Sequence, residues 1–261
     1  MIDLSIIISY YKAEENLQMI LYALENQSVK DFEVIISEDD YNEATFDFVK
    51  KVKSAFNFAI NHLHQTKDDG FRKNQMLNKA IQSAASNKLA FIDSDCVPHR
   101  HFVKEYIKNI DDYSFCVGRS VMLGEKITSN AKSKKITPRL LSVLFSDSRL
   151  KKEGVYFPYF GRNRKVKGLV GRNWGCNKQL LIDINGFDED YIQAGIGEDT
   201  DIDWRLRANG INRKSVKNKA IVYHLYHPRW YSTDVERDNY NQMKSKQDRD
   251  LVFCENGIQK V

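Results

Sequence analysis

The stretch Leu89-Ala90-Phe91-Ile92-Asp93-Ser94-Asp95 decides the fold. Four apolar residues run straight into two carboxylates separated by one serine. A short apolar run of this kind reads as a buried strand, and the acids stand where the strand leaves the core. Two carboxylates so close repel each other unless a cation lies between them. A divalent ion with oxygen ligands can then bridge to a diphosphate.

The residues upstream alternate strand and helix signals. Residues 4–9 and 32–36 read as strands, and residues 58–62 as an extended segment. Residues 14–26 place Leu17, Ile20, Leu21 and Leu24 on one helical face. Residues 45–53 form a second helix candidate. Residues 73–84 repeat Met76, Leu77, Ala80, Ile81 and Ala84 at helical spacing. Alternation of this kind predicts an α/β fold with parallel strands and crossover helices. Ligands of such sheets gather beyond the carboxyl ends of the strands. Ser9-Tyr10-Tyr11, Ser37-Glu38-Asp39-Asp40 and Asp93-Ser94-Asp95 all follow strands and are expected to converge on one crevice.

The second half is less regular. Residues 102–109 read as helical, 115–121 as extended, 178–184 and 200–208 as short helices, and 220–223 as a strand. Residues 235–245 form a closing helix. Between them lies a basic stretch broken by Gly154, Pro158, Gly161, Gly168 and Gly171.

With 261 residues, 42% apolar and 29% charged, the chain has material for one large α/β domain or two small ones. No apolar run approaches the roughly 18 residues of a membrane span. The opening Met1-Ile2-Asp3-Leu4-Ser5 has no basic leader, so it reads as a first strand rather than a signal peptide, and a cytoplasmic protein is expected. Cys96, Cys116, Cys176 and Cys254 are too widely spaced for a zinc site and are expected to be reduced, partly buried thiols.

The net charge of +5 is local. Lys126, Lys132, Lys134, Lys135 and Arg139 are followed by Arg149, Lys151, Lys152, Arg162, Arg164, Lys165, Lys167 and Arg172. A solvated loop region is the plain reading. The functional one is a basic face for an anionic glycan, a lipid-linked acceptor or an anionic membrane surface. The absence of an aromatic-interleaved recognition motif argues against nucleic acid.

Two further clusters carry chemistry. In Gly195-Ile196-Gly197-Glu198-Asp199-Thr200-Asp201-Ile202-Asp203, four acids sit within six residues. Helix capping explains some of them. The excess suggests a carboxylate that acts as general base on an incoming hydroxyl. In Val222-Tyr223-His224-Leu225-Tyr226-His227, a strand delivers two histidines. A lone histidine is more often structural. One beside a carboxylate-held ion completes its coordination, and mixed nitrogen and oxygen ligation favours manganese.

In this order and spacing, the pieces resemble the inverting GT-A glycosyltransferases of the large bacterial family 2 type, similar to capsule and chondroitin-type polymerase domains, with echoes of the β-1,4-galactosyltransferases. The resemblance implies a single GT-A domain over 1–261, with a mixed, mainly parallel sheet, a nucleotide-binding half (1–100) and an acceptor-binding half (101–261). Ile6-Ile7-Ile8-Ser9-Tyr10-Tyr11 resembles the opening strand, with Ser9 and Tyr11 facing the nucleotide. Phe32 to Asp39 resembles the second strand, which assigns Asp39 to uracil. Gly70-Phe71-Arg72-Lys73-Asn74 resembles the arginine-bearing loop, with Arg72 approaching the nucleotide. Asp93-Ser94-Asp95 resembles the metal-binding Asp-x-Asp. There Asp95 holds the ion, Asp93 holds ribose or assists the metal, and Ser94 lies beside the donor. Asn173-Trp174-Gly175-Cys176-Asn177 resembles the element before the acceptor site, where Trp174 either stacks on a sugar or packs in the core. Asn185-Gly186-Phe187-Asp188-Glu189 is similar to the segment that precedes the catalytic acids. Glu198-Asp199 resembles the Glu-Asp pair, with Asp199 the implied base. His224 resembles the metal-binding histidine, with His227 as the second candidate. The implied cofactor is Mn2+ or Mg2+. The implied donor is a UDP-sugar, and the implied acceptor a glycan or lipid-linked oligosaccharide of surface polysaccharide synthesis. A non-catalytic nucleotide-sugar or glycan-binding module is the competing reading. A sugar nucleotidyltransferase is a weaker one, because Ser9-Tyr10-Tyr11-Lys12 stands where a glycine-rich phosphate loop would be.

Overall fold

The computed structural model describes residues 1–159, 166–195, 197–228 and 233–261, with side chains at 233–236 left aside. Gly161, Arg162, Arg164, Lys165 and Ile196 therefore lie outside the described residues.

The elements in chain order are β1 (Leu4–Tyr10), α1 (Glu14–Glu25), β2 (Phe32–Glu38), α2 (Glu43–Val52), β3 (Ala59–Leu63), α3 (Lys73–Ser83), β4 (Lys88–Asp93), β5 (Cys96–Pro98), α4 (Phe102–Asn109), β6 (Ser114–Val117) and β7 (Arg119–Met122). They continue as α5 (Glu125–Lys134), α6 (Leu140–Leu144), β8 (Asn173–Asn177), α7 (Lys178–Ile182), α8 (Glu198–Ala208), β9 (Asn212–Ser215), β10 (Ile221–His224) and α9 (Thr233–Asp248).

A seven-stranded sheet runs β3-β2-β1-β4-β8-β6-β9. Strands β3, β2, β1 and β4 are parallel, and β8 is antiparallel to both β4 and β6. The result is an α/β fold with the parallel strands that the alternation predicts, set in the mixed, mainly parallel sheet that the resemblance implies. Strands β1 and β4 are apolar at successive positions because both faces of the sheet are covered. Leu4, Ile6, Ile8, Ala90 and Ile92 face one core with α1 and α4. Ile7, Leu89 and Phe91 face the other, with Leu77, Ala80 and Ile81 of α3, Leu181 of α7 and Ile202 of α8. The register Ser9↔Ser37 and Ser9↔Asp93 brings the three polar strand ends side by side.

A second sheet, β5-β10-β7, stands beyond β4. The extended segment expected over 115–121 is in fact two strands, one in each sheet. Gly118 makes the break, since a Cβ there would meet the Asn173 amide at 2.3 Å. The four cysteines are all free and buried. Their thiols are held above the ordinary range chiefly by burial.

Candidate active site

The strand ends open into a cleft of about 730 Å³, lined by Ser9, Tyr11, Asp39, Lys73, Asp93, Ser94, Asp95 and His227 among others. Asp39 is 7% exposed. Gln65 Nε2 donates to it at 2.7 Å, and the Arg72 amide donates to both carboxylate oxygens at 2.9 and 3.1 Å. Burial raises its pKa, and these donors pull it back. Arg72 contributes through its backbone. Its guanidinium turns to Asp69 at 3.3 Å and to the Phe71 carbonyl at 2.9 Å, not into the cleft. Glu38 also leaves the cleft, pairing with His62 Nε2 at 2.7 Å.

At the end of β4 the two aspartates diverge. Asp95 faces β10, where its Oδ2 lies 3.4 Å from His224 Nε2 and 3.0 Å from His227 Nε2. One ligand atom from each of the three residues lies within 4.8 Å of the others. Burial opposes charge on Asp95, but the two imidazoles outweigh it and hold the carboxyl below its ordinary range. Burial holds His224 below 6.5, which favours the neutral ring that a metal ligand needs. His227 is raised by its hydrogen bond to Asp95. The antiparallel pairing His224↔Cys96 fixes this meeting, because it sets the histidine beside the residue following Asp95. Both candidate histidines thus converge on Asp95.

Asp93 faces the other way. Lys73 Nζ lies 3.2 Å from Asp93 Oδ1 and 2.5 Å from Glu198 Oε1. Burial disfavours the ammonium, yet the two carboxylates raise its pKa and keep it charged. Lys73 is the cation that meets both carboxylates, one position from the arginine that the motif resemblance singles out. The first turn of α3 decides which of two adjacent cations points inward, and composition carries no trace of that.

Beyond Lys73, a small recess is lined by Ser9, Gly171, Trp174, Glu198 and Asp199. Asp199 Oδ2 accepts from the Gly171 amide at 2.9 Å, and its Oδ1 accepts from the Thr200 amide at 2.7 Å. Burial raises the pKa of both Asp199 and Glu198, offset in part by Gly171 N–H and Lys73 for the first and by Lys73 for the second. Gly197 begins α8 at φ +142, and a Cβ there would meet the Tyr191 ring at 2.9 Å. The other two acids of the cluster are structural. Asp201 accepts from Arg205 Nε at 2.6 Å inside the core, and Asp203 accepts from Arg213 Nε at 2.7 Å.

Of the two readings of Trp174, its surroundings favour packing in the core. It is 2% exposed and stacks on Phe91 at 4.3 Å, with the planes 8° apart. The register Phe91↔Trp174 directs the indole into the core, so it offers no face to a sugar.

The sequence model of glycosyl transferase family 2 matches residues 5–185. The chain belongs to that family. A second model, described as the N-terminal domain of galactosyltransferase, matches residues 152–228, which include Asp199 and both histidines. Escherichia coli chondroitin synthase is 26% identical over 254 residues, covering 86% of this chain and 35% of that protein. The family 2 chain therefore spans about a third of that relative's length. Among solved structures it resembles a Pyrobaculum calidifontis mannosyltransferase in complex with GDP-Man and Mn2+ (TM-score 0.65, 16% identity, 95% of this chain and 64% of that one). It also resembles S. aureus TarS 1–349 in complex with UDP-GlcNAc (0.63, 16%, 93% and 66%). GalNAc-T7 with UDP, GalNAc and Mn2+ is similar too (0.66, 13%, 93% and 47%). At these identities the likeness is one of fold, and the fold is GT-A.

Proposed function

We propose that this glycosyltransferase moves a hexosyl group from a UDP-sugar to a hydroxyl of a glycan or lipid-linked acceptor in surface polysaccharide synthesis, with inversion. The observation that carries the reading is the Lys73 bridge, which joins Asp93 on the donor cleft to Glu198 beside Asp199. One wall thus presents a donor site and a carboxylate base to the same small volume.

Asp39, with its oxygens fixed by Gln65 and Arg72, offers a rigid acceptor to the imide N–H of a uracil. Ser9 and Tyr11 line the same cleft. Asp199 takes the proton of the incoming hydroxyl as its oxygen attacks the anomeric carbon. The sugar–phosphate bond breaks on the opposite face, and UDP leaves with the bonding electrons. The two amides on Asp199 aim it, and burial keeps its basicity above that of an exposed aspartate. Lys73 places a positive charge between Asp93 and Glu198, where the diphosphate and sugar would adjoin.

A divalent ion fits Asp95, His224 and His227, a carboxylate and two imidazoles on one small volume, and this mixed set suits manganese better than magnesium. Such an ion, when bound, neutralises charge on the leaving diphosphate. Calorimetry of UDP with and without Mn2+, then with a panel of UDP-sugars, tests the donor site. Mn2+-dependent UDP binding is expected, weakened at least about tenfold in His224→Ala and His227→Ala. Binding that ignores both substitutions removes the metal assignment. Asp199→Asn should bind donor normally and turn over poorly. Donor binding by the wild-type chain without turnover on any acceptor would favour a non-catalytic nucleotide-sugar module.

A further inference from the structure

Exposed bulky apolar side chains gather in one segment. In α6, Leu141 is 70% exposed, Leu144 40% and Phe145, the residue that ends it, 90%. The spacing i, i+3, i+4 puts the three on one face of the helix. Val143 on the opposite face is fully buried, so the helix is seated and its apolar stripe points outward. Leu150 follows at 58% exposure and φ +54, a left-handed conformation unfavourable for a leucine. Ile136 adds a further exposed apolar side chain. The segment is not frayed. Lys151 Nζ donates to the carbonyls of Leu144 and Ser146 at 3.1 and 2.6 Å, and Met122 and Arg149 exchange backbone hydrogen bonds at 3.1 and 2.7 Å.

The same segment is basic. Residues 134–159 carry six lysines and arginines (Lys134, Lys135, Arg139, Arg149, Lys151 and Lys152) against two acids, a net of +4. Both acids are engaged elsewhere: Asp147 accepts from the Lys126 amide, and Glu153 pairs with Lys217 at 2.8 Å.

We propose that the lobe 134–159 is a docking surface for an anionic lipid bilayer. Leu141, Leu144, Phe145 and Leu150 would enter the headgroup region, and the surrounding lysines and arginines would meet its negative charge. Exposed apolar side chains among cations are the composition by which proteins rest on such a surface without crossing it. No helix among the described residues is long and apolar enough to cross. Charge selects this occupant over a second copy of the chain, because a symmetric contact through the lobe sets +4 against +4. The position is also productive. Arg149 of the lobe exchanges backbone hydrogen bonds with Met122 of β7, and Met122 stands opposite His224 in the parallel β7–β10 pairing, so the lobe is joined through β7 to the strand that carries His224.

Co-sedimentation of the whole 261-residue chain with vesicles tests the proposal. Vesicles of phosphatidylglycerol and phosphatidylcholine should carry the protein down at low salt, and pure phosphatidylcholine vesicles should not. Both L141S/F145S and R139E/K152E should weaken binding more than about tenfold, and salt should release the wild type. Each pair lies on the surface, so unchanged thermal melting and unchanged UDP binding show that the variants are folded. Absence of sedimentation at low salt overturns the proposal, as does binding that neither variant weakens. Concentration-dependent dimerisation lost in L141S/F145S, without vesicle binding, assigns the face to a second copy and overturns it equally.

Discussion

Asp199 is buried, held by two amides and raised in pKa, and these properties fix how the rate should depend on pH. A general base works only when ionised. Activity should therefore fall as pH drops through its raised pKa, with an acid limb above the ordinary aspartate value of 3.8. Asp199→Asn should lower kcat about 10²–10⁴-fold, the usual worth of a positioned base, and abolish that limb in the residual rate. A pH–kcat profile of both proteins checks this. A limb that persists in the variant would move the base elsewhere. Lys73 gives a separate expectation. Removing its charge in Lys73→Met leaves Asp93 and Glu198 facing each other without a cation, so both donor affinity and kcat should fall, whereas Asp199→Asn should spare affinity. A Lys73→Met enzyme with normal donor affinity would show that the lysine serves the acceptor side alone. At this scale the sequence was an uneven guide. Asp93, Asp95, Asp199 and the two histidines stand in short motifs at strand and helix ends, where residue type alone suggests chemistry. Lys73 against Arg72, and Trp174 as core against platform, are questions of side-chain direction. Direction is set by register and helix phase, which neighbouring strands decide.

Among the elements, β1, β2 and β4 were legible because burial on both faces leaves them unbroken apolar runs. Strand β8 was not, since Asn173-Trp174-Gly175-Cys176-Asn177 has neither alternation nor β-branching. Its identity comes from its partners. Asn173 donates to the carbonyls of Arg119 and Ala220 at 2.9 Å each, and Tyr106 Oη donates to its Oδ1 at 2.6 Å, so one amide ties the two sheets together. Strand β9 is a polar run at the sheet's edge that pairs with β6, and α5 and α6 lie in the basic stretch where charge hides the helical pattern. The antiparallel turn of β8 into the sheet depends on Gly175. A Cβ there would lie 2.5 Å from the Leu89 carbonyl oxygen and 2.9 Å from the Tyr106 ring. Neither is the free end of a flexible chain. Gly175→Ala should therefore destabilise the fold by about 1–3 kcal/mol, the range of overpacked sites. Urea denaturation measures it. A variant as stable as the wild type would mean that β8 shifts freely against β4, contrary to its close pairing.

For the whole molecule, the strand that leaves the candidate ion site leads to a buried histidine that makes stability depend on pH. β5 (Cys96–Pro98) starts directly after Asp95, and His99 follows it, its carbonyl accepting from Gln27 Nε2 at 3.0 Å just past the end of α1. The His99 ring stacks on Tyr156 at 5.4 Å, lies 5.3 Å from His101, and accepts the His101 amide on Nδ1 at 3.3 Å. Burial first, then the positive charge of His101 and Arg100, lowers its pKa from 6.5 to about 4. The folded chain thus keeps His99 neutral while the unfolded chain protonates it. Between those two values the unfolded state binds more protons, so stability rises with pH across the window. The contribution is complete above 6.5 and is lost as pH falls toward 4. Since the ring is not wholly shielded from water, the loss should be of order 1–2 kcal/mol, less than the full shift would give. His99→Gln keeps a polar side chain that does not take a proton. Its melting temperature should decline less steeply than that of the wild type between pH 6.5 and 4. Parallel curves would show that His99 is as easily protonated in the fold as in the open chain, and that the junction of β5, α1 and the Tyr156 loop is wetter than its packing indicates.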